Sequence, residues 1–459
     1  MTRFSINTLG CKVNLCESDD IAGELAEIGF EKVNFSDGPD LCIINTCTVT
    51  AESDRKARQL IRRIKNKNSR AKIIVTGCFT GNNSEFLEDC GIDHIINNDR
   101  KDSIPKLLAE LAGSKGLKDT SRSNTREDDC NGGIVDGKQL VDISHSRPLI
   151  KIQDGCEQNC TYCIIPSVRG KYMSTDLSNI ISKIIYIENA GYEEVVLTGI
   201  HIGKYGADIK DTGSVEDVSG ISGLSQLISE ILHRTKIKRI RISSLEINEV
   251  TSGLLELIKN NSTRIAPHLH IPLQSGSNKV LGDMKRPYDR DYFIEKIRAV
   301  RKILPGIAIT TDIMVGFPGE SDDDFMETFS LARELYFSKL HVFKYSPRPG
   351  TIASKLKEQI DSRQKSERSE KLRKLGDTLR DEFINNNLGK KLRVVRERYD
   401  SGSGIFSGTS GEYIKVYFKS KRDYKEMHGK LIPLKSSRKY LDGLWADEIA
   451  NERSKDIND

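Results

Sequence analysis

Three cysteines in one short loop carry the strongest chemical signal in the chain. They are Cys156, Cys160 and Cys163, spaced C-x3-C-x2-C. Thiolates are soft ligands. Three of them complete neither a tetrahedral zinc site nor the four irons of a cubane, so a [4Fe–4S] cluster held this way keeps one iron open. A zinc knuckle short of its fourth ligand, or three unlinked thiols, are the plainer readings of the same residues. A second set is dispersed: Cys11, Cys47 and Cys78. Gly10 and Gly77 directly precede two of them, which lets the backbone crowd a bulky group. The plain alternative is three small buried hydrophobes, the role expected of Cys42 inside a strand. Cys16 is an extra thiol near Cys11, either a competing ligand or a packed side chain. Cys130 reads as a free surface thiol.

The patterning around these thiols implies the elements that must position them. Phe4–Leu9, Leu41–Asn45 and Lys72–Thr76 read as strands, with helices over Asp20–Gly29 and Glu52–Lys67. That βαβ rhythm predicts a parallel α/β domain over residues 1–112. Each dispersed cysteine then falls at or just after the carboxyl end of a strand, where open α/β sheets place their ligands. Residues 113–141 are polar and aperiodic and read as a linker. Over residues 142–375, six strand candidates alternate with helices: Leu149–Ile152, Glu194–Thr198, Arg239–Ser243, His268–Ile271, Ile307–Val315 and Leu340–Lys344. Six β/α units predict an incomplete parallel barrel whose site lies in the loops after its strands. Those loops hold Tyr162, Thr198, Gly199, Ser243, Glu246, Gly316 and Pro318 among Gly, Pro and small polar residues. Each one alone also suits an ordinary turn.

After a charged helix over 361–385, residues 386–450 change texture. Short alternating runs between Gly-rich turns predict a small all-β barrel. Its Lys415, Lys419, Lys421, Arg422, Lys425, Lys435, Arg438 and Lys439 interleave with Tyr417, Phe418, Tyr424 and Tyr440. Such a face suits looped or single-stranded RNA, where bases stack and phosphates meet cations; a solvated basic surface is the alternative. The basic helix at Arg55–Lys67 is expected to extend the positive track. The net charge of +5 decides little. Ten cysteines in a 459-residue chain, in metal-like patterns, exclude a small disulfide-framed secreted domain and fit a reducing cytoplasm. No apolar run is long enough to span a membrane, and the first residues carry no leader-like apolar stretch.

The cysteine loop resembles that of the radical S-adenosylmethionine (SAM) enzymes. The order of all three domains resembles the methylthiotransferases within them, whose C-terminal module is a TRAM domain. The words Thr8-Leu-Gly-Cys11-Lys-Val-Asn14, Asn45-Thr-Cys47, Arg241-Ile-Ser-Ser-Leu-Glu246, His268-Leu-His-Ile-Pro-Leu-Gln-Ser-Gly276 and His341-Val-Phe-Lys-Tyr-Ser346 resemble the MtaB branch. That branch acts on N6-threonylcarbamoyladenosine beside the tRNA anticodon and gives its 2-methylthio form. Branches acting on isopentenyladenosine in tRNA, or on an aspartate of a ribosomal protein, are the alternatives within the family. A non-catalytic zinc-containing RNA binder is the alternative outside it.

The resemblance implies two [4Fe–4S] clusters. Cys156, Cys160 and Cys163 would hold the one that reductively cleaves SAM to a 5′-deoxyadenosyl radical. Cys11, Cys47 and Cys78 would hold an auxiliary cluster that delivers the methylated sulfur. It also implies SAM contacts at Tyr162, Thr198, Gly199, Ser243, Glu246, Gly316 and Pro318. No protein side chain is assigned as a catalytic acid or base. Implied partners are the anticodon stem-loop, a reductant such as flavodoxin or ferredoxin, and a sulfur source, in the cytoplasm and with no membrane.

Overall fold

The structure is a computed structural model that describes residues 2–68, 70–111, 145–209, 223–422 and 427–449. The expected linker over 113–141, Cys130, Tyr424 and Lys425 lie outside the described residues. The chain forms two compact units, Met1–Ser144 with Ser167–Arg169, and His145–Pro166 with Gly170–Asp459.

In the first unit, strands β1 (Arg3–Thr8), β2 (Glu31–Lys32), β3 (Leu41–Thr46), β4 (Lys72–Gly77) and β5 (His94–Ile96) form one sheet ordered β2-β1-β3-β4-β5. Every pairing is parallel. Helices α1 (Lys12–Glu27), α2 (Ala51–Lys67), α3 (Ser84–Asp89) and α4 (Ile104–Leu111) complete it. All six residues of β3 are buried, as a parallel strand covered on both faces requires. Phe4, Leu25, Ile43 and Ile74 belong to one core, and Ile44, Ile61, Ile73 and Val75 to another.

Helix α1 begins at Lys12, eight residues before the expected start at Asp20. Its first turns bury Asn14, Glu17 and Ser18 among only two apolar residues, Val13 and Cys16, so the hydrophobic period is weak there.

The second unit starts with β6 (Leu149–Asp154) and a short helix α5 (Ile165–Arg169), whose last three residues belong to the first unit. It continues through β7 (Met173–Ser174), α6 (Leu177–Asn189), β8 (Glu194–Gly199), α7 (Gly223–Arg234), β9 (Arg239–Ile242), α8 (Ser252–Asn260) and β10 (His268–His270). Next come α9 (Asn278–Asp283), α10 (Arg290–Ile303), β11 (Ala308–Val315), α11 (Asp322–Glu334), β12 (Lys339–Lys344) and α12 (Ser362–Asn385). The sheets run β7-β6-β8-β9 and β10-β11-β12. Parallel bridges Ile240↔Ile265 and Ser244↔His270 join them, giving the six parallel strands expected of an incomplete barrel. β7 is an antiparallel edge on β6 that the sequence pattern did not mark.

Strands β13 (Lys391–Asp400), β14 (Ile405–Ser410), β15 (Lys415–Phe418), β16 (Leu431–Tyr440) and β17 (Gly443–Glu448) close a small barrel in the order β13-β14-β15-β17-β16. Phe418 is in its core with Val394, Phe406 and Leu434. The turn after β14 packs against the open barrel, where Gly411 abuts Pro267 and Tyr413 stacks on His268 with ring centroids 4.6 Å apart. Beneath it Glu194, 0% exposed, bonds Arg239 Nε at 2.6 Å and Arg241 Nε at 2.8 Å. Arg239 Nη1 donates to Arg393 O, and both terminal nitrogens of Arg241 donate to backbone carbonyls, Nη1 to Gly411 and Nη2 to Ser410. Burial would raise the Glu194 carboxyl, yet Arg241 and Arg239 hold it down to about 2.

Candidate metal centres

In the first unit Cys11 and Cys78 both come within electrostatic reach of Cys47. Cys11 caps the amino end of α1, Cys47 follows β3 and Cys78 follows β4. Burial raises the Cys47 thiol, and Cys78 and Cys11 are both close enough to push it further the same way. Two buried asparagines set the loops. Asn14 Nδ2 donates to Leu9 O and Thr46 O, each at 2.9 Å, and so ties the Cys11 loop to the Cys47 strand. Asn45 Nδ2 donates to Asn14 O at 2.9 Å and Ser18 Oγ at 3.0 Å. Gly10 has φ +114°, and a Cβ there would lie 2.6 Å from Cys47 Cβ and 3.1 Å from its sulfur. Only glycine leaves room beside that thiol.

Asn98 Nδ2 donates toward Cys78 Sγ at 3.6 Å. Beside it, Glu17 pairs with Lys101 and with Arg169 Nη1 at 2.9 Å, all three deeply buried. Arg169 Nη2 also reaches Asn14 Oδ1 at 2.5 Å. Two cations against one carboxylate leave positive charge next to the thiols, which suits an anionic thiolate cluster. Cys16 is buried within α1 and Cys42 within β3, both in packing positions.

In the second unit, Cys156, Cys160 and Cys163 lie on the loop after β6, as the spacing predicts. Gly155 takes φ +71°, and a Cβ there would meet Lys171 O at 1.7 Å, so the turn into the loop demands glycine. Burial pushes Cys163 up to about 12 and also raises Cys160, against the opposing charge of Arg286. Thiols raised in this way stay protonated at neutral pH unless a metal takes their charge.

Polar side chains surround the loop. Arg286 donates to Cys160 Sγ at 3.2 Å and to Tyr162 Oη at 3.4 Å, and pairs with Glu246. His201 Nδ1 lies 3.6 Å from Cys156 Sγ, and Nε2 lies 2.5 Å from Glu249 Oε1. Burial opposes charge on His201, but its hydrogen bonds to Cys156 and Glu249 outweigh it and lift the imidazole to about 9. Sequence reasoning missed His201, Glu249 and Arg286. They come from three different loops, and only the fold brings them to the thiols.

The other residues expected at SAM fall at carboxyl ends of barrel strands. Thr198 and Gly199 end β8, Ser243 and Glu246 follow β9, and Gly316 and Pro318 follow β11. Ser243 Oγ is buried without a hydrogen-bond partner among the described residues. Such a group is costly unless a ligand satisfies it. Glu320 accepts from the Gly316 amide, and burial pushes its carboxyl up to about 7. Tyr162 packs against the buried cluster of Val280, Met284, Phe317, Tyr345 and Ala353.

Among the described residues, no three His, Cys, Asp or Glu side chains close around a single ion. Three thiols in each set suit a thiolate-held cluster with one iron left open, and the unpartnered Ser243 hydroxyl suits a polar ligand beside it.

The closed barrel sorts the expected RNA-facing residues. Lys415, Lys419, Lys421, Arg422, Lys435, Arg438 and Lys439 are exposed, whereas Phe418 is core. Tyr417, Tyr440 and Trp445 form an edge-to-face row with centroids 5.1 and 5.2 Å apart. Arg438 lies over the Trp445 ring at 5.0 Å. Trp445 was missed because Gly443–Glu448 was not read as a strand. In α2, Arg55 pairs with Glu52 and Arg58 lies over Phe79 and Phe86, so part of its basic face is engaged locally. Among the described residues, no helix is long and apolar enough to cross a membrane.

Comparisons with known proteins fit this geometry. The family model described as "Radical SAM superfamily" matches residues 150–332, and "Uncharacterized protein family UPF0004" matches residues 3–96. The radical SAM methyltransferase TsrM from Kitasatospora setae, solved with cobalamin and a [4Fe–4S] cluster, superposes with TM-score 0.55 at 14% identity over 77% of each chain, a likeness of fold. The class is thus a radical SAM protein.

Threonylcarbamoyladenosine tRNA methylthiotransferase MtaB of Bacillus subtilis (strain 168) is 36% identical over 464 residues, 98% of either chain. The MtaB of Aquifex aeolicus (strain VF5) is 36% identical, covering 86% of this chain and 92% of its own. The tRNA-2-methylthio-N(6)-dimethylallyladenosine synthase of Bacillus subtilis (strain 168) is 31% identical, covering 94% and 83%. The chain belongs to the radical SAM tRNA methylthiotransferase family.

Proposed function

We propose that this chain places a methylthio group on C2 of N6-threonylcarbamoyladenosine in tRNA, beside the anticodon. One observation carries the reading: two separate thiol trios, each gathered at strand carboxyl ends, in a chain matching an MtaB over 98% of both lengths. Cys156, Cys160 and Cys163 would hold the cluster that binds SAM, and Cys11, Cys47 and Cys78 the auxiliary cluster. When bound, a [4Fe–4S] cluster with one iron free of protein ligands supplies single electrons to SAM, and with them homolytic chemistry at a C–H bond. The adenine C2–H needs this, being neither acidic nor electrophilic.

The chain's own groups bind, orient and exclude. Arg286 spans Cys160 and Glu246, so one guanidinium sets both the thiol and the carboxylate beside it. His201, held by Glu249, donates toward Cys156. Thr198, Gly199, Ser243, Glu246, Gly316 and Pro318 would border the space for SAM, with Tyr162 in the cysteine loop itself. Lys101 and Arg169 offset charge at the auxiliary thiols.

Residues 1–112, 142–375 and 386–450 act as auxiliary-cluster, radical SAM and TRAM segments, joined by 113–141. The last grips the anticodon stem-loop through its exposed cations and the Tyr440–Trp445 row. A flavodoxin- or ferredoxin-type reductant and a sulfur donor complete the reaction in the cytoplasm.

The test is nucleoside analysis of tRNA by mass spectrometry from strains with and without this gene. Deletion should remove 2-methylthio-N6-threonylcarbamoyladenosine and leave its unthiolated parent. Loss of the dimethylallyl nucleoside instead, or no change in tRNA, would overturn the assignment.

A further inference from the structure

Two histidine-bearing stretches of the sequence, His268–Gly276 and His341–Ser346, meet inside the open barrel. β11 pairs with β10 and β12 in a register that sets His270 beside Thr310 and His341 beside Asp312. Leu269, Ile309 and Ile313 are fully buried on the opposite face, so His270, Asp312, His341 and Phe343 share the inner face by strand alternation. Thr310 Oγ1 bonds His268 Nε2 and His270 Nδ1, each at 2.9 Å. His270 Nε2 lies 3.3 Å from Asp312 Oδ2, and the His270 and His341 rings meet edge to face with centroids 5.6 Å apart.

The group is not a sealed core. His270 is 18% exposed and Asp312 27%, and Phe343 is 44% exposed. It lies close to the thiol loop. His270 O accepts from Leu245 N at 3.0 Å, and the next residue, Glu246, is tied through Arg286 to Cys160.

We propose that His270, Asp312, His341 and Phe343 form the pocket that reads the N6 substituent of the target adenosine. The proposal rests on the functional reading above and names the residues that make it selective. A threonylcarbamoyl group carries a hydroxyl, a urea and a carboxylate, whereas a dimethylallyl group carries none of these. Asp312, fixed by His270, accepts the hydroxyl hydrogen. The His341 imidazole faces the carboxylate. Phe343 covers the threonyl methyl. A site built to hydrogen-bond a substrate group rejects an analogue lacking that group far more strongly than an apolar pocket rejects an added group.

The test compares two versions of one tRNA, with N6-threonylcarbamoyladenosine or with plain adenosine at the target position, using the reconstituted full chain. Dissociation constants for both are measured on wild type, Asp312→Asn and His341→Phe, together with SAM affinity and absorbance near ~400 nm as checks of cluster and fold. Wild type should prefer the modified tRNA by about tenfold or more. In each variant the preference should fall to within about threefold, with SAM affinity unchanged. A preference that survives both substitutions, or SAM affinity that falls in step with it, overturns the pocket. A wild type with no preference overturns the functional reading itself, and the pocket with it.

Discussion

Replacing Glu194 by Gln tests whether the ion cluster under the barrel holds the C-terminal barrel in place. The carboxylate is fully buried between Arg239 and Arg241, each 1% exposed. Its folded pKa of about 2, against an ordinary value of 4.5, makes ionised Glu194 worth about 3 kcal/mol of folding stability at neutral pH. Losing one partner of a buried ion pair typically costs about 3–5 kcal/mol, so the two routes agree. Gln keeps the shape but leaves two buried guanidinium groups without a counter-charge.

The sign with pH follows from the depressed carboxyl. Its contribution is fully present above about pH 4.5 and fades as pH falls toward 2. The gap between wild type and Glu194→Gln should therefore close across that window. Denaturant unfolding followed by Trp445, the only tryptophan, reads it directly. Hydrogen exchange across Ser410–Ile414 should quicken, because Ser410 O and Gly411 O take their bonds from Arg241. A variant within about 1 kcal/mol of wild type at pH 7, or a gap unchanged between pH 5 and 3, would refute the reasoning.

Four further outcomes follow from the site geometry. Gly10→Ala sets a Cβ 2.6 Å from Cys47 Cβ at φ +114°; it should cost about 1–3 kcal/mol and lower bound iron, read by denaturation and iron assay. Arg286→Lys cannot serve Cys160 and Glu246 together, so the reduction potential of the cluster in that loop should fall, measured by electron paramagnetic resonance titration. Trp445→Ala should weaken tRNA binding by about 1–3 kcal/mol with an unchanged salt slope, whereas Lys435→Ala should flatten that slope by about one.

The skeleton was legible because its signals are local. All six barrel strands and both thiol sets stand where spacing and strand alternation place them. What escaped reading depends on distant partners. The start of α1 was hidden because its buried face is largely polar, with Asn14, Glu17 and Ser18 bonded to or beside the cysteine loops among Val13 and Cys16. Glu194, Arg239 and Arg241 look like surface charges in a strand until the register puts them side by side. His201, Glu249 and Arg286 reach the thiol loop from separate turns. The Asp312 carboxylate gains meaning only when β10, β11 and β12 are paired.

Iron and sulfide analysis of anaerobically reconstituted protein tests the account most directly. Wild type should hold about eight irons per chain. The variant with Cys11, Cys47 and Cys78 all changed to Ala should hold about four, as should the variant with Cys156, Cys160 and Cys163 changed. A wild type that saturates at about four irons, with no loss when the first three cysteines are removed, would contradict the two-cluster account.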